Sequence, residues 1–148
     1  MILKKWNMRF LEMAMMVGLW SKDPSTQVGA VIVDDDRRVI SLGYNGFPKG
    51  VADNQRLNDR KEKYKMIVHA ERNAILFANK SVKDATIFTY PFMPCPICTG
   101  MIIQSGIRRV VSLQTDNPRW QEDFKISRKM LDEAEVDLIE YEKIELRS

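Results

Sequence analysis

One histidine, His69, and two cysteines, Cys95 and Cys98, are all the imidazole and thiol this 148-residue chain contains. Glu71 follows the histidine by two positions, and Pro94 and Pro96 flank the first cysteine. The pattern is H-x-E, then P-C-x-x-C, the arrangement of a zinc site with a proton-transferring carboxylate. Zinc accepts one imidazole and two thiolates readily, and three protein ligands leave the fourth tetrahedral position for water. A closed structural site needs a fourth ligand, and the chain has no further His or Cys to supply one. Scarcity therefore favours an open, catalytic zinc unless a carboxylate or a second subunit closes the site. Each residue has a plainer reading alone. A lone histidine can simply pack in a core, a C-x-x-C can be a redox dithiol, and a glutamate can offset a helix dipole. Their joint occurrence favours the metal.

These residues meet only if the local structure turns them toward one point. Residues i and i+2 within a helix point well apart. His69 and Glu71 can serve one pocket only if a helix starts there, with His69 near the N-cap. Cys95 precedes Pro96, and proline favours the first helical position. Both cysteines then lie at a second helix N-terminus, whose positive end stabilises thiolates. Two helix N-termini should converge on one ion, with Ile67 and Val68 as the apolar wall behind it. Zinc lowers the pKa of a bound water, and Glu71 is the candidate to take and return its proton.

The rest of the chain must position these termini. Apolar residues Trp6, Phe10, Met13, Val17 and Trp20 repeat at helical spacing, and Pro24 stops the run. "VGAVIVDDDRRVISLGYN" predicts two antiparallel strands around Asp34, Asp35 and Asp36, the first buried on both faces. Residues 46–65 are polar and without strong period, and are expected as a long loop with a helical turn or two, most of its charges solvated. "AERNAILFANK" predicts a helix, "ATIFTY" a strand, and "PICTGMIIQSG" a helix ending at Gly106. "RRVVSLQ", "RWQEDFKISRKMLDEA" and "VDLIEYE" predict strand, helix and strand. The order implies one domain over residues 1–148, a three-layer α/β/α fold on a five-stranded mixed sheet with a parallel β-α-β-α-β half. Hydrophobic residues are 45% and charged residues 29%, a globular balance. No apolar run approaches the roughly 20 residues of a membrane span. "MILKKWNMRF" lacks the features of a secretory signal, so a cytoplasmic location is expected. The net charge of +3 is mild and forms no basic stripe for nucleic acid.

"SKDPSTQVGAVIV", "GYNGFPKGV", "VHAERNAI" and "PCPIC…IIQSGI" occur in this order. From the first helix to Val136 the chain resembles the deoxycytidylate (dCMP) deaminases of the zinc-dependent cytidine deaminase superfamily. The resemblance implies hydrolysis of dCMP to dUMP and ammonia, feeding dTMP synthesis. It implies one catalytic Zn2+ on His69, Cys95 and Cys98. Glu71 would move protons between water, N3 of the cytosine ring and the leaving amino group. Lys22 and Ser25 resemble residues near the substrate phosphate, and Asn45 one that bonds the sugar. Ala70, Phe92 and Trp120 complete the expected substrate contacts, and Arg119 is a neighbouring candidate. Gly43, Tyr44, Asn45 and Gly46, with the long loop from Gly46 to Lys65 after them, resemble an allosteric nucleotide region, with dCTP activating and dTTP inhibiting, each with Mg2+. The family is commonly hexameric, and the helix through Phe77 and Lys80 resembles a subunit contact. Two features depart from the family pattern. No extra Cys or His is present for a second, structural zinc, and "TYPFMPC" replaces the commoner T-x-x-P-C. Tyr90, Pro91 and Phe92 are candidates to line the base pocket, with Phe92 stacking on the pyrimidine.

Two other functions compete. A nucleic-acid base deaminase, such as a tRNA adenosine deaminase, shares the zinc chemistry but calls for a stronger basic footprint. A non-catalytic zinc-stabilised module has no need of Glu71.

Overall fold

The computed structural model describes residues 2–146. Helix α1 spans Ile2–Gly18 and is followed by the hairpin β1 (Gly29–Val33) and β2 (Val39–Tyr44). Helices α2 (Arg60–Met66) and α3 (Ala70–Leu76) precede β3 (Thr86–Tyr90). Then come α4 (Pro96–Gln104), β4 (Arg109–Leu113), α5 (Gln121–Glu133) and β5 (Asp137–Tyr141). Single 3-10 turns occupy Gln55–Asn58, Pro118–Trp120 and Lys143–Glu145.

The five strands form one mixed sheet in the order β2-β1-β3-β4-β5. β1 pairs antiparallel with β2 and β3, whereas β3, β4 and β5 run parallel. This is the expected hairpin joined to a parallel half. Strand β1, "GAVIV", is buried at all five positions because helices cover both of its faces. Val31 and Val33 meet Phe10, Leu11, Ala14 and Val17 of α1. Ala30 and Ile32 belong to the opposite core, with Ala70, Ala74, Ile102, Val110 and Phe124. The layers are α1, then the sheet, then α3, α4 and α5.

Gly43 shows why α3 can lie so close to β2. A Cβ there would collide with the backbone of Ala70 and Ala74. The side chain of Asn73 adds a hydrogen bond to the Tyr44 carbonyl at 2.9 Å. Helix α3 is thereby fixed at the end of β2, with its N-terminus at the C-terminal ends of β2 and β3.

Several expectations shift. Helix α1 ends at Gly18, so Trp20 lies outside it, exposed and edge-on to Tyr44. Helix α3 ends at Leu76, with Phe77 as its C-cap, so Phe77 and Lys80 lie beyond the helix. Phe77 is exposed beneath Lys49, and Lys80 pairs with Asp34. The polar stretch before His69 holds the capped helix α2, which Asp59 starts by accepting the Glu62 amide. Helix α4 stops at Gln104, and Gly106 beyond it takes a φ of +88°, the left-handed turn that favours glycine after a helix.

Candidate metal and active site

Two helix starts have matching shapes. His69 is the N-cap of α3 at φ −69°, ψ 155°. Cys95 is the N-cap of α4 at φ −68°, ψ 168°, and Pro96 opens the helix. Neither side chain caps its own helix. Each is free to turn outward, and the two turn toward one another. His69 Nδ1 lies 3.6 Å from Cys95 Sγ and 3.3 Å from Cys98 Sγ. The three ligand atoms all fall within 4.8 Å of one another. Bond lengths near 2.0 and 2.3 Å place nitrogen and sulfur about 3.6 Å apart across a tetrahedral zinc. The donor set and its spacing therefore fit zinc.

The turn before α4 is held from below. Thr89, fully buried in β3, donates its hydroxyl to the Phe92 carbonyl at 2.9 Å. Ser112 of β4 donates to the Thr89 carbonyl at 2.8 Å. "TYPFMPC" thus folds back over the sheet, with a cis bond between Tyr90 and Pro91. Tyr90 packs against the α1 core, and neither it nor Pro91 forms part of the cavity wall. Phe92 and Met93 do. Phe92 packs on Trp120 and Phe124, with ring centroids 5.5 and 5.4 Å away.

Glu71 is 4% exposed and shares the cavity with His69 and Cys95. Burial pushes its carboxyl up from the ordinary range, against the opposing pull of His69. The His69 imidazole is pushed up, first by its hydrogen bond to Cys95. The thiols divide one proton. The hydrogen bond from Cys98 takes Cys95 down to about 3, while Cys98, the buried donor of that bond, is pushed up. Arg72 stands beside them. Burial pulls its pKa down, but the neighbouring Cys98 and Cys95 sulfurs more than offset this. Its Nε is buried without a partner among the described residues.

The same cavity extends to Ser25, Asn45, Ala70 and Trp120, all expected from the sequence. Lys22 is not on its wall; its side chain is 72% exposed and pairs with Asp53 at 3.2 Å. Of the loop residues Gly43 to Gly46, only Asn45 lines the cavity. Gly43 packs under α3, Tyr44 is exposed, and Gly46 has open space around it. Arg119 stacks over Tyr64 and Trp120, both cavity residues, without lining it itself. The wall also contains Asp23 and Lys63, which the sequence reading missed. Asp23 sits inside the quoted "SKDPST". Lys63 hides in a run of charges, where only the Asp59 cap signals a helix with a defined inner face.

The cytidine and deoxycytidylate deaminase zinc-binding region matches residues 4–114. An uncharacterised deaminase in the luxG 3' region of Aliivibrio fischeri is 45% identical over 140 residues, covering 93% of this chain and 94% of that protein. A probable deoxycytidylate deaminase of Caenorhabditis elegans is 44% identical over 139 residues, covering 89% of this chain and 68% of the relative. The crystal structure of the dCMP deaminase from cyanophage S-TIM5, in complex with dCMP and dUMP, shares the fold. Its TM-score is 0.74 at 24% identity, covering 89% of this chain and 93% of that one. The chain belongs to the zinc-binding cytidine and deoxycytidylate deaminase family.

Proposed function

We propose that residues 1–148 form a single deaminase domain that converts dCMP and water to dUMP and ammonia, supplying a precursor for dTMP. The observation that carries this reading is one buried carboxylate, Glu71, in the same cavity as a His-Cys-Cys cluster of zinc spacing. His69, Cys95 and Cys98 hold the metal. Bound zinc supplies a Lewis acid that brings water toward ionisation near neutral pH.

Glu71 accepts a proton from the attacking water and passes it to N3 of the cytosine ring. It then takes the remaining water proton from the hydroxyl added at C4 and gives it to the departing amino nitrogen, so that C4 becomes a carbonyl as ammonia leaves. A carboxyl raised by burial is a stronger base than a free one, which suits it to take a proton from water before passing it on. Phe92, braced by Trp120 and Phe124, offers a flat apolar wall for the pyrimidine. Ala70 is assigned to the ring and Ser25 and Asn45 to the sugar and phosphate, a reading supported by their places on the same cavity wall.

Regulation belongs to the same reading: dCTP activates and dTTP inhibits, each with Mg2+, in a homo-oligomer of six chains. Exposed Tyr44 and open Gly46 beside cavity-lining Asn45 support an effector loop there. No described helix is long and apolar enough to cross a membrane, and we assign the enzyme to the cytoplasm. The test is ammonia release from dCMP, CMP, dCTP and deoxycytidine, with and without dCTP or dTTP. Release from dCMP is expected; zinc-loaded protein that deaminates none of the four rejects the reading.

A further inference from the structure

The turn between β3 and α4 carries two parts of the site, Phe92 on the cavity wall and Cys95 in the metal cluster. Its sequence, "YPFMPCP", contains three prolines, at positions 91, 94 and 96. Proline has no backbone N–H, so this turn has few donors of its own to tie down its carbonyls. Two of those carbonyls are met instead by side-chain hydroxyls. Thr89 donates to the Phe92 carbonyl at 2.9 Å, and Thr99 of α4 donates to the Pro94 carbonyl at 3.4 Å. Both threonines are fully buried.

Thr89 makes the shorter of the two bonds, and it is itself held. Side chains alternate along a strand. Ile87 belongs to the core under α3, α4 and α5, so Thr89, two residues on, points to the same side. Ser112 does the same in β4, two residues after Val110. The two hydroxyl oxygens lie 2.9 Å apart. Ser112 gives its hydrogen to the Thr89 carbonyl at 2.8 Å. Thr89 has one hydrogen to give, shared between the Phe92 carbonyl and the Ser112 oxygen. Hydroxyls in an apolar core are costly to bury unless their bonds are made, and here those bonds end on the turn. Beyond it, the Phe92 ring packs on Trp120 and Phe124. Phe92 is thus fixed twice, at its backbone by Thr89 and at its ring by two aromatic neighbours. Neither Thr89 nor Ser112 lines the cavity.

We propose that Thr89, supported by Ser112, is a positioning residue: its hydroxyl sets where the Phe92 ring stands and so governs substrate binding without touching the substrate. This rests on the deaminase reading above, in which Phe92 is the wall for the pyrimidine. A small misplacement of such a wall is enough to weaken the contact it makes.

The experiment measures kcat and KM for dCMP in the zinc-loaded wild type, Thr89→Val and Thr89→Ser. Valine keeps the branched shape and removes the hydroxyl, whereas serine keeps the hydroxyl and removes the methyl. Thr89→Val is expected to raise KM about 10-fold with kcat within about threefold, and Thr89→Ser to keep KM within about twofold of wild type. In a Phe92→Leu background, where the ring to be placed is gone, Thr89→Val is expected to raise KM by less than about twofold more. An unchanged KM in Thr89→Val overturns the proposal, and so do equal losses in the valine and serine variants. Effects of Thr89→Val and Phe92→Leu that simply multiply also overturn it, since they mark Thr89 as acting other than through Phe92. Should Thr89→Val fail to fold, Ser112→Ala, which removes only the support of Thr89, carries the same comparison against Phe92→Leu. A wild type inactive on dCMP, CMP, dCTP and deoxycytidine rejects the deaminase reading, and the ring contact then decides this one. A nuclear Overhauser effect between Phe92 and Trp120 that is present in wild type and Thr89→Ser but lost in Thr89→Val upholds it; one that persists in Thr89→Val overturns it.

Discussion

The two ends of the cavity solve the same problem, holding charged groups away from water, by different means. At the metal end, three ligand atoms gather where α3 and α4 begin, and each ligand comes from a residue type rare in the chain. At the second, Asp23, Ser25, Asn45 and Lys63 interlock through hydrogen bonds from three separate segments. A metal organises the first end, so its side chains need little support from one another. The second has no such centre, so its side chains are held by hydrogen bonds to one another. Losing one ligand should therefore cost metal and turnover together at the first end, whereas losing one member of the second strands its buried partner.

The largest effect follows from removing the metal. His69→Ala should abolish zinc binding and ammonia release together, as read by metal analysis and the dCMP assay. Chelation of the wild type should lower its unfolding temperature, because a ligand present at 100 times its Kd stabilises by about 2.7 kcal/mol. Chelator-insensitive melting would mean that the metal end is prearranged without its ion. Glu71→Gln comes next. Its loss of turnover is expected at about 10²- to 10⁴-fold, the range for a proton-transfer group, with zinc content unchanged. Loss of zinc in that variant would make Glu71 a structural member of the site.

Asp23→Ala probes the other end. It leaves the Lys63 ammonium buried and unpaired beside open amides of Ser25 and Thr26. Removing one partner of a buried ion pair costs about 3–5 kcal/mol, measurable as a shift in the urea midpoint. The Asp23→Asn, Lys63→Met pair should cost less than the sum of the single changes, since it leaves neither charge stranded. Additive costs would mean that the two groups do not depend on one another and would remove the contrast between the ends.

That contrast also governs what could be read from the sequence. The metal end was legible because its residues are scarce and its spacing is local: one His and two Cys, with Pro96 to start a helix. The sheet was legible for a similar reason, since β1 is a continuous apolar run. The polar end was not legible. Lys63 lies in "RKEKYKM", where the other two lysines are exposed and only the turn of α2 sends one inward. Its partner Asp23 is 40 residues away, and pairing at that separation is fixed by tertiary packing. Helix ends failed likewise at Leu76, because Phe77, the C-cap of α3, carries no stop signal such as Gly or Pro.

The smallest expected effect separates the two lysines of this end. Lys22 stands in the motif, whereas Lys63 stands on the cavity wall. Lys22 Nζ meets Asp53 at 3.2 Å, with side chains 72% and 37% exposed, and exposed pairs of this kind contribute about 0–1 kcal/mol. Lys22→Ala should therefore shift the urea midpoint by no more than about 0.5 kcal/mol of stability, as surface substitutions usually do. Its kcat/KM on dCMP should stay within about twofold of wild type. A fall in Lys22→Ala confined to dCMP and absent with deoxycytidine would return the phosphate to the exposed lysine. It would also require the α1–β1 loop to swing inward on binding, breaking the bonds that now tie Asp23 to Ser25, Thr26 and Asn45.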